Sequence, residues 1–297
     1  PQGLNEAIDI PKEKIMELFI HWNPDTVALD LGGLAIRWYS LCWVLALMGA
    51  YIVVQRLYKH QGIGEEKFEP LFMYCFVGII LGARLGHCLF YEPGYYLSHP
   101  LEMLLPIRHT AEGWQFTGYE GLASHGGTLG LMIALWVYNR KYAVGIRNIL
   151  DNVAIATPIA ACFIRIGNLM NSEIIGRPTD LPWAFVFERV DMLPRHPGQL
   201  YEALTYLALF FVGLWIYRMN TKGAGGFARM TVGTGWYFGW CIFSIFTARI
   251  FIEYTKEVQE AFEEGMLFNM GQLLSVPFVL LGAYCMFRKS DKKQAKS

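Results

Sequence analysis

Residues 149–169 read ILDNVAIATPIAACFIRIGNL, with Asp151 and Arg165 as the sole charged positions. An α-helix needs about 20 predominantly apolar residues to cross about 30 Å of hydrocarbon, and this stretch has that length and character. Working outward, comparable runs occupy Leu34–Leu57, Phe68–Tyr91, Leu122–Tyr138, Leu200–Tyr217, Val232–Tyr254 and Met270–Phe287. The sequence therefore predicts an all-α integral membrane protein with about seven transmembrane helices. Composition agrees. Charged residues make up 17% of the 297, against about 25% in a soluble domain. Lysine plus arginine and aspartate plus glutamate number 25 each, so the basic footprint expected of a nucleic-acid partner is missing.

The connections carry the orientation. One set holds Arg56, Lys59 and Lys67, then Arg140, Lys141 and Arg147, then Arg218, Lys222 and Arg229, and the 288–297 tail adds five more basic residues. The alternate loops, Glu92–Glu120, Glu173–Arg195 and Lys256–Glu264, are richer in acid. Positive loops stay cytoplasmic, which predicts an outward N-terminus and a cytoplasmic, lipid-surface tail. The expected organisation is an outward-facing amphipathic segment at 1–33, a seven-span domain at 34–287 and the basic tail. Two long connections, Glu92–Gly121 and Asn171–Gln199, form a small outward cap. Within the second, Trp183–Phe187 predicts a short strand. The first 30 residues hold no long apolar core, so no cleavable leader is expected there. The six cysteines sit in apolar runs without ligand spacing and read as small buried hydrophobes.

Charges inside spans cost about 2.5–3.5 kcal/mol each at mid-helix and are functional candidates by default. Span two contains Gly82-Ala83-Arg84-Leu85-Gly86-His87, and span three opens on Ser124-His125-Gly126-Gly127. Span four ends in Arg165-Ile166-Gly167-Asn168, followed by Asn171 and Glu173, and span six ends in Arg249-Ile250-Phe251-Ile252-Glu253. Arg165 and Asn168 share a helix face, as do Arg84 and His87, while Arg249 and Glu253 are spaced to pair with each other. Arg165 has no acid three or four residues away, so it needs a partner from another helix, from Glu173 or from a ligand. The neighbouring glycines permit close helix approach.

Guanidinium groups take phosphate bidentately at any accessible pH, and a phosphodiester is the anion that bilayer lipids present. Arginines with a histidine suit a lipid headgroup better than a cation pathway, which would be acid-dominated. A transporter or flippase of anionic lipid is the rival from another class, although no internal repeat of spans supports it. No HxxxH or HExxH set occurs, so neither metal nor other cofactor is expected.

In order and spacing these motifs resemble the bacterial prolipoprotein diacylglyceryl transferase family. The resemblance runs from Arg37-Trp38-Tyr39 through Glu173-Ile174-Ile175-Gly176-Arg177 and Arg195-His196-Pro197-Gly198-Gln199-Leu200-Tyr201-Glu202 to Met270-Gly271-Gln272. It implies a multi-pass protein of the bacterial inner membrane. The implied reaction transfers an sn-1,2-diacylglyceryl group from phosphatidylglycerol to the lipobox cysteine of a prolipoprotein signal peptide, releasing glycerol 1-phosphate. By the same resemblance Arg165 and Arg249 are essential, Asn168, Glu173 and Gly176 fall on the signature, and Tyr39 and His125 lie near the reaction centre. The chain departs from the family at Arg37, where the family histidine is often replaced, at Ile245, where some members have a tyrosine, and at Lys256, where an arginine is frequent.

The side chains suggest a division of labour. His125 has the ordinary pKa to accept a thiol proton, and Arg165 and Arg249 would stabilise the leaving phosphate. Glu173 and Glu253 would orient the arginines, Asn168 would bond glycerol oxygens, and Arg84 would add to lipid binding. Gln199, Tyr201 and Glu202 read as interfacial anchors of span five.

Overall fold

The computed structural model describes residues 19–32, 35–105, 107–110, 113–116, 121–221, 230–257, 266 and 268–288. Most of the expected amphipathic segment, the basic tail past Arg288 and loop residues 222–229 and 258–265 lie outside the described residues.

Three short strands come first: β1 (Ile20–Trp22), β2 (Val27–Asp30) and β3 (Ala35–Arg37). The β2–β3 hairpin runs straight into α1 (Trp38–His60), so this helix starts later than the apolar run at Leu34. Helix α2 (Glu65–Phe90) starts earlier than its apolar run. Glu65 and Glu66 occupy its first turn, where carboxylates complement the helix dipole. Two short helices, α3 (Pro93–Tyr96) and α4 (Pro100–Leu104), each open on proline, whose missing N–H is no loss at that position. The hairpin β4 (Ile107–Thr110) and β5 (Gly113–Phe116) leads to α5 (Ser124–Tyr142) and α6 (Ile146–Met170). Then come β6 (Phe185–Phe187), β7 (Pro194–Arg195), α7 (Gly198–Thr221), α8 (Trp236–Glu253) and α9 (Met270–Phe287).

The protein is mostly helical. Among the described residues, α1, α2, α6, α7 and α9 are the five helices long and apolar enough to cross a membrane. Helices α5 and α8 fill the two remaining apolar stretches, at 19 and 18 residues. They also carry His125 and Arg249.

The chain packs as two compact units, residues 1–53 with 153–297, and residues 54–152. Small residues and buried polar bonds hold the second unit together. Gly78, Gly82 and Gly86 on α2 face Gly126 and Gly130 on α5, all at four-residue spacing. A methyl group at Gly86 would lie 2.7 Å from the Gly126 Cα, and one at Gly130 would lie 2.8 Å from the Gly82 Cα. The two backbones touch, as apolar helices do when lipid supplies no hydrophobic drive for their association. At the other end, Gln61 donates to Asn152 at 2.6 Å and accepts from Asn148 at 3.0 Å, and Tyr138 donates to the Lys67 carbonyl at 2.5 Å.

In the first unit, β1 pairs parallel with β6, and β7 pairs antiparallel with β6. The expected strand at 183–187 is thus present as Phe185–Phe187, fully buried. Leu169, Phe185 and Phe187 pack with Trp22, whose indole N–H donates to the Leu169 carbonyl at 2.9 Å. The small sheet therefore caps the end of α6, the end that carries Arg165. Helices α8 and α9 meet through Gly239 and Gly282, where an added methyl would lie 2.7 Å from the facing carbonyl in either direction.

Candidate active site

The end of α6 presents Arg165 and Asn168 on one face, and Arg165 Nη1 donates to Asn168 Oδ1 at 3.1 Å. Asn168 Nδ2 donates in turn to Glu173 Oε2 at 3.1 Å, and Asn171 Nδ2 donates to Glu173 Oε1 at 2.9 Å. Glu173 is flanked by two residues in the left-handed region, Ser172 (φ 56°) and Ile174 (φ 57°). A β-branched residue rarely adopts that conformation, and strain of this kind gathers at sites that must hold a fixed geometry. Gln199 keeps it in place by donating to the Glu173 carbonyl. Tyr39, in the first turn of α1, packs on Gly167, where a methyl would meet its ring at 3.0 Å. The glycine lets the aromatic ring approach the α6 backbone closely.

The partner that Arg165 lacks on its own helix comes from α7. Glu202 is fully buried, and its Oε2 lies 2.8 Å from Arg165 Nε, close in distance though not aligned as a hydrogen bond. Its other oxygen accepts from Lys256 Nζ at 3.0 Å, and the same ammonium donates to Glu253 Oε2 at 3.2 Å. Glu253 Oε2 is also 3.7 Å from Arg249 Nε. The ionic chain runs Arg249, Glu253, Lys256, Glu202, Arg165, with Asn168 and Glu173 beyond. Arg249 Nε is buried without a hydrogen-bond partner among the described residues, although its side chain is 35% exposed. At Arg249 charge is compensated at a distance while Nε lacks a hydrogen-bond partner among the described residues, and the exposed part of the guanidinium suits an incoming anion.

Lys256 is placed by backbone. Gly176 bridges Lys256, the Lys256 carbonyl accepts from Arg177 Nε at 2.9 Å, and Arg177 N donates to the Thr255 carbonyl at 2.8 Å. A methyl at Gly176 would lie 2.6 Å from the Thr255 carbonyl oxygen and 2.5 Å from His196 Cβ, so glycine alone fits this crossing. Arg195 closes the outer side with bonds to Asp191, to Glu257 at 2.8 Å and to the Gly176 carbonyl at 3.1 Å. Hydrogen bonds from Arg195 hold the Asp191 carboxyl below its ordinary value, against an opposing push from burial. Burial pulls His196 below the usual histidine value.

Tyr39, Arg165, Asn168, Glu173, Gly176, Arg249 and Glu253 all belong to the first unit, and the bonds above link five of them in one chain. Arg84 and His125 belong to the second unit. His125 stands exposed in the first turn of α5. Arg84 is buried, donates to the carbonyls of Glu102 (2.6 Å) and Met103 (3.2 Å), and lies over the Tyr96 ring at 4.8 Å. It fastens the α3–α4 segment. Of the partners expected for Arg165, the one from another helix is present: it is Glu202, expected from the sequence as an interfacial anchor, while among the described residues Glu173 reaches Arg165 through Asn168. Lys256 is likewise a central member of the cluster. The Glu202 contacts were not visible at helical spacing, because Glu202 meets Arg165 and Lys256 across elements far apart in the chain, whereas Lys256 stands three residues from its other partner, Glu253.

The profile of the family described as prolipoprotein diacylglyceryl transferase matches residues 26–288. A protein of Bacteroides fragilis named phosphatidylglycerol–prolipoprotein diacylglyceryl transferase is 55% identical over 280 residues, covering 94% of this chain and 98% of its own length. Proteins of the same name are 42% identical in Tolumonas auensis, over 92% of this chain and 99% of theirs, and 43% identical in Porphyromonas gingivalis, over 91% and 94%. With an ionic cluster at the helix ends and relatives spanning almost its full length, the chain belongs to the prolipoprotein diacylglyceryl transferase family.

Proposed function

We propose that the protein transfers the sn-1,2-diacylglyceryl group of phosphatidylglycerol to the lipobox cysteine thiol of a prolipoprotein signal peptide. It does so in the bacterial cytoplasmic membrane as a seven-span enzyme with an outward N-terminus. Helices α5 and α8 complete the seven, and the basic connections face the cytoplasm. Family membership supports the reaction. The observation that carries the site assignment is the pair of arginines on α6 and α8, ion-paired through Glu202 and Glu253 yet with Arg249 Nε buried and without a hydrogen bond.

The chemistry follows from these groups. Sulfur attacks the glyceryl carbon that bears the phosphate, a carbon–sulfur bond forms, and the carbon–oxygen bond to phosphate breaks. A free thiol has a pKa of about 8.5, so its proton must be removed near neutral pH. His125 is the assigned acceptor, on its chemistry and on the family resemblance. Glycerol 1-phosphate departs with its charge developing beside Arg165 and Arg249, whose fork geometry matches two phosphate oxygens. Asn168 donates to glycerol oxygens, with Glu173 orienting its amide. Tyr39, packed on Gly167, is assigned to the site on the family resemblance.

The test is incubation of detergent-solubilised protein with phosphatidylglycerol and a lipobox peptide, read by mass spectrometry. Thioether product should form without any gradient, which an anionic-lipid flippase would not give. Arg165→Lys keeps the charge and loses the fork, so product should fall nearly to background. Normal turnover in that variant removes phosphate clamping by Arg165. His125→Asn with an unchanged rate and pH profile removes it as the base.

A further inference from the structure

We propose that Lys256 is a positioning residue that keeps Glu253 from closing on Arg249, so that the Arg249 guanidinium stays open to the lipid phosphate. This rests on the reading of Arg249 as a phosphate ligand. Arg249 and Glu253 stand four apart on α8, a spacing at which the pair can close, and charge-assisted bonds of this type run about 2.7–2.9 Å. Here the separation is 3.7 Å. The oxygen concerned, Glu253 Oε2, is taken instead by Lys256 Nζ at 3.2 Å. The carboxylate has little room to serve both cations, because Gly271 packs against it so tightly that a methyl there would lie 2.7 Å from its Cδ.

Lys256 itself cannot retreat. Its ammonium is anchored on the second side by Glu202 at 3.0 Å, its backbone is clamped by Gly176 and Arg177, and its side chain is 3% exposed. It is too enclosed to present its charge to lipid directly. What remains is an arginine neutralised at a distance whose Nε is buried without a hydrogen bond. An arginine fully engaged by Glu253 would have to break that pair before taking a phosphate oxygen.

The experiment is a double-mutant cycle on binding. Affinity for short-chain phosphatidylglycerol is titrated in detergent for the parent, Lys256→Met, Arg249→Gln and the double variant, with turnover measured alongside. Lys256→Met should weaken binding about tenfold in the parent and add nothing in the Arg249→Gln background, the non-additivity expected when one residue acts through another. Lys256→Arg, which can still occupy both carboxylates, should restore affinity. If Lys256→Met costs the same in both backgrounds, or slows turnover at unchanged affinity, the inference is overturned while the phosphate reading of Arg249 stands. If Arg249→Gln binds as the parent does, that reading falls and takes this inference with it. Should Lys256→Met fail to fold, Lys256→Gln is judged by the same criterion.

Discussion

Glu202 shows how much one side chain carries here. It is fully buried and neutralises Arg165 with one oxygen and Lys256 with the other. Removing one partner of a buried pair strands the other charge in a low-dielectric site, at about 3–5 kcal/mol. Glu202→Ala should lower stability by that amount in thermal unfolding, whereas Glu188→Ala, which removes an acid 31% exposed beside His21, should change little. Equal shifts in the two variants would mean that water reaches Glu202. The outer shell of the site gives a pH test with a definite sign. Asp191 is held below its ordinary value by Arg195, so the unfolded chain takes up that proton first as pH falls. Its contribution is fully present above the ordinary carboxylate range, about 3.9, and is lost as pH drops through the lower folded value. His196, lowered by burial, adds a loss of the same sign beginning at about pH 6.5. Asp191→Asn should flatten the acidic limb of a stability-against-pH curve and leave the histidine step. An unchanged acidic limb would show that Asp191 does not contribute it.

At the level of elements, glycine registers decide which helices can touch. The α2–α5 contact has no room for side chains, since a methyl at Gly82 would lie 2.7 Å from the Gly130 Cα. Gly82→Ala should lower the unfolding temperature clearly, whereas Gly94→Ala, with nothing within 4 Å, should leave it in place. Equal effects would place the strain outside that contact. The helices themselves were legible because an apolar run long enough to cross lipid is a strong signal. Their ends were less so. Glu65 and Glu66 extend α2 for reasons of dipole and solvation that hydropathy does not register, and α1 is delayed because Ala35–Arg37 pairs as a strand. The parallel pairing of Ile20–Trp22 with Phe185–Phe187 joins segments that nothing local connects. The arginines were legible by the cost of placing them in lipid. Glu202 was not, because an acid in the first turns of a helix is ordinary until its partner on another helix is known. Lys256 looked like a departure from a family arginine, and its backbone crossing with Gly176 gives it its place.

For the whole molecule, the proposed orientation rests on where positive charge resists translocation. Arg56 and Lys59 lie near the end of α1 and Lys67 in the first turn of α2, and Arg140 and Lys141 end α5 with Arg147 at the start of α6, whereas in the 171–199 connection Arg177, Arg189 and Arg195 are accompanied by Glu173, Asp180, Glu188 and Asp191. The function proposed above, in which basic connections stay cytoplasmic and a lipobox peptide reaches the site from the opposite face, would put the 171–199 connection outward. In a background with the six native cysteines replaced, Val190→Cys, at a position 50% exposed, should react with an impermeant maleimide in intact spheroplasts. Lys141→Cys, also exposed, should react only after permeabilisation. The reverse pattern would turn the molecule over and put the arginines on the face that the secreted substrate does not reach. Labelling of both without permeabilisation would mean that an even number of spans separates residues 141 and 190, so that α6 does not cross.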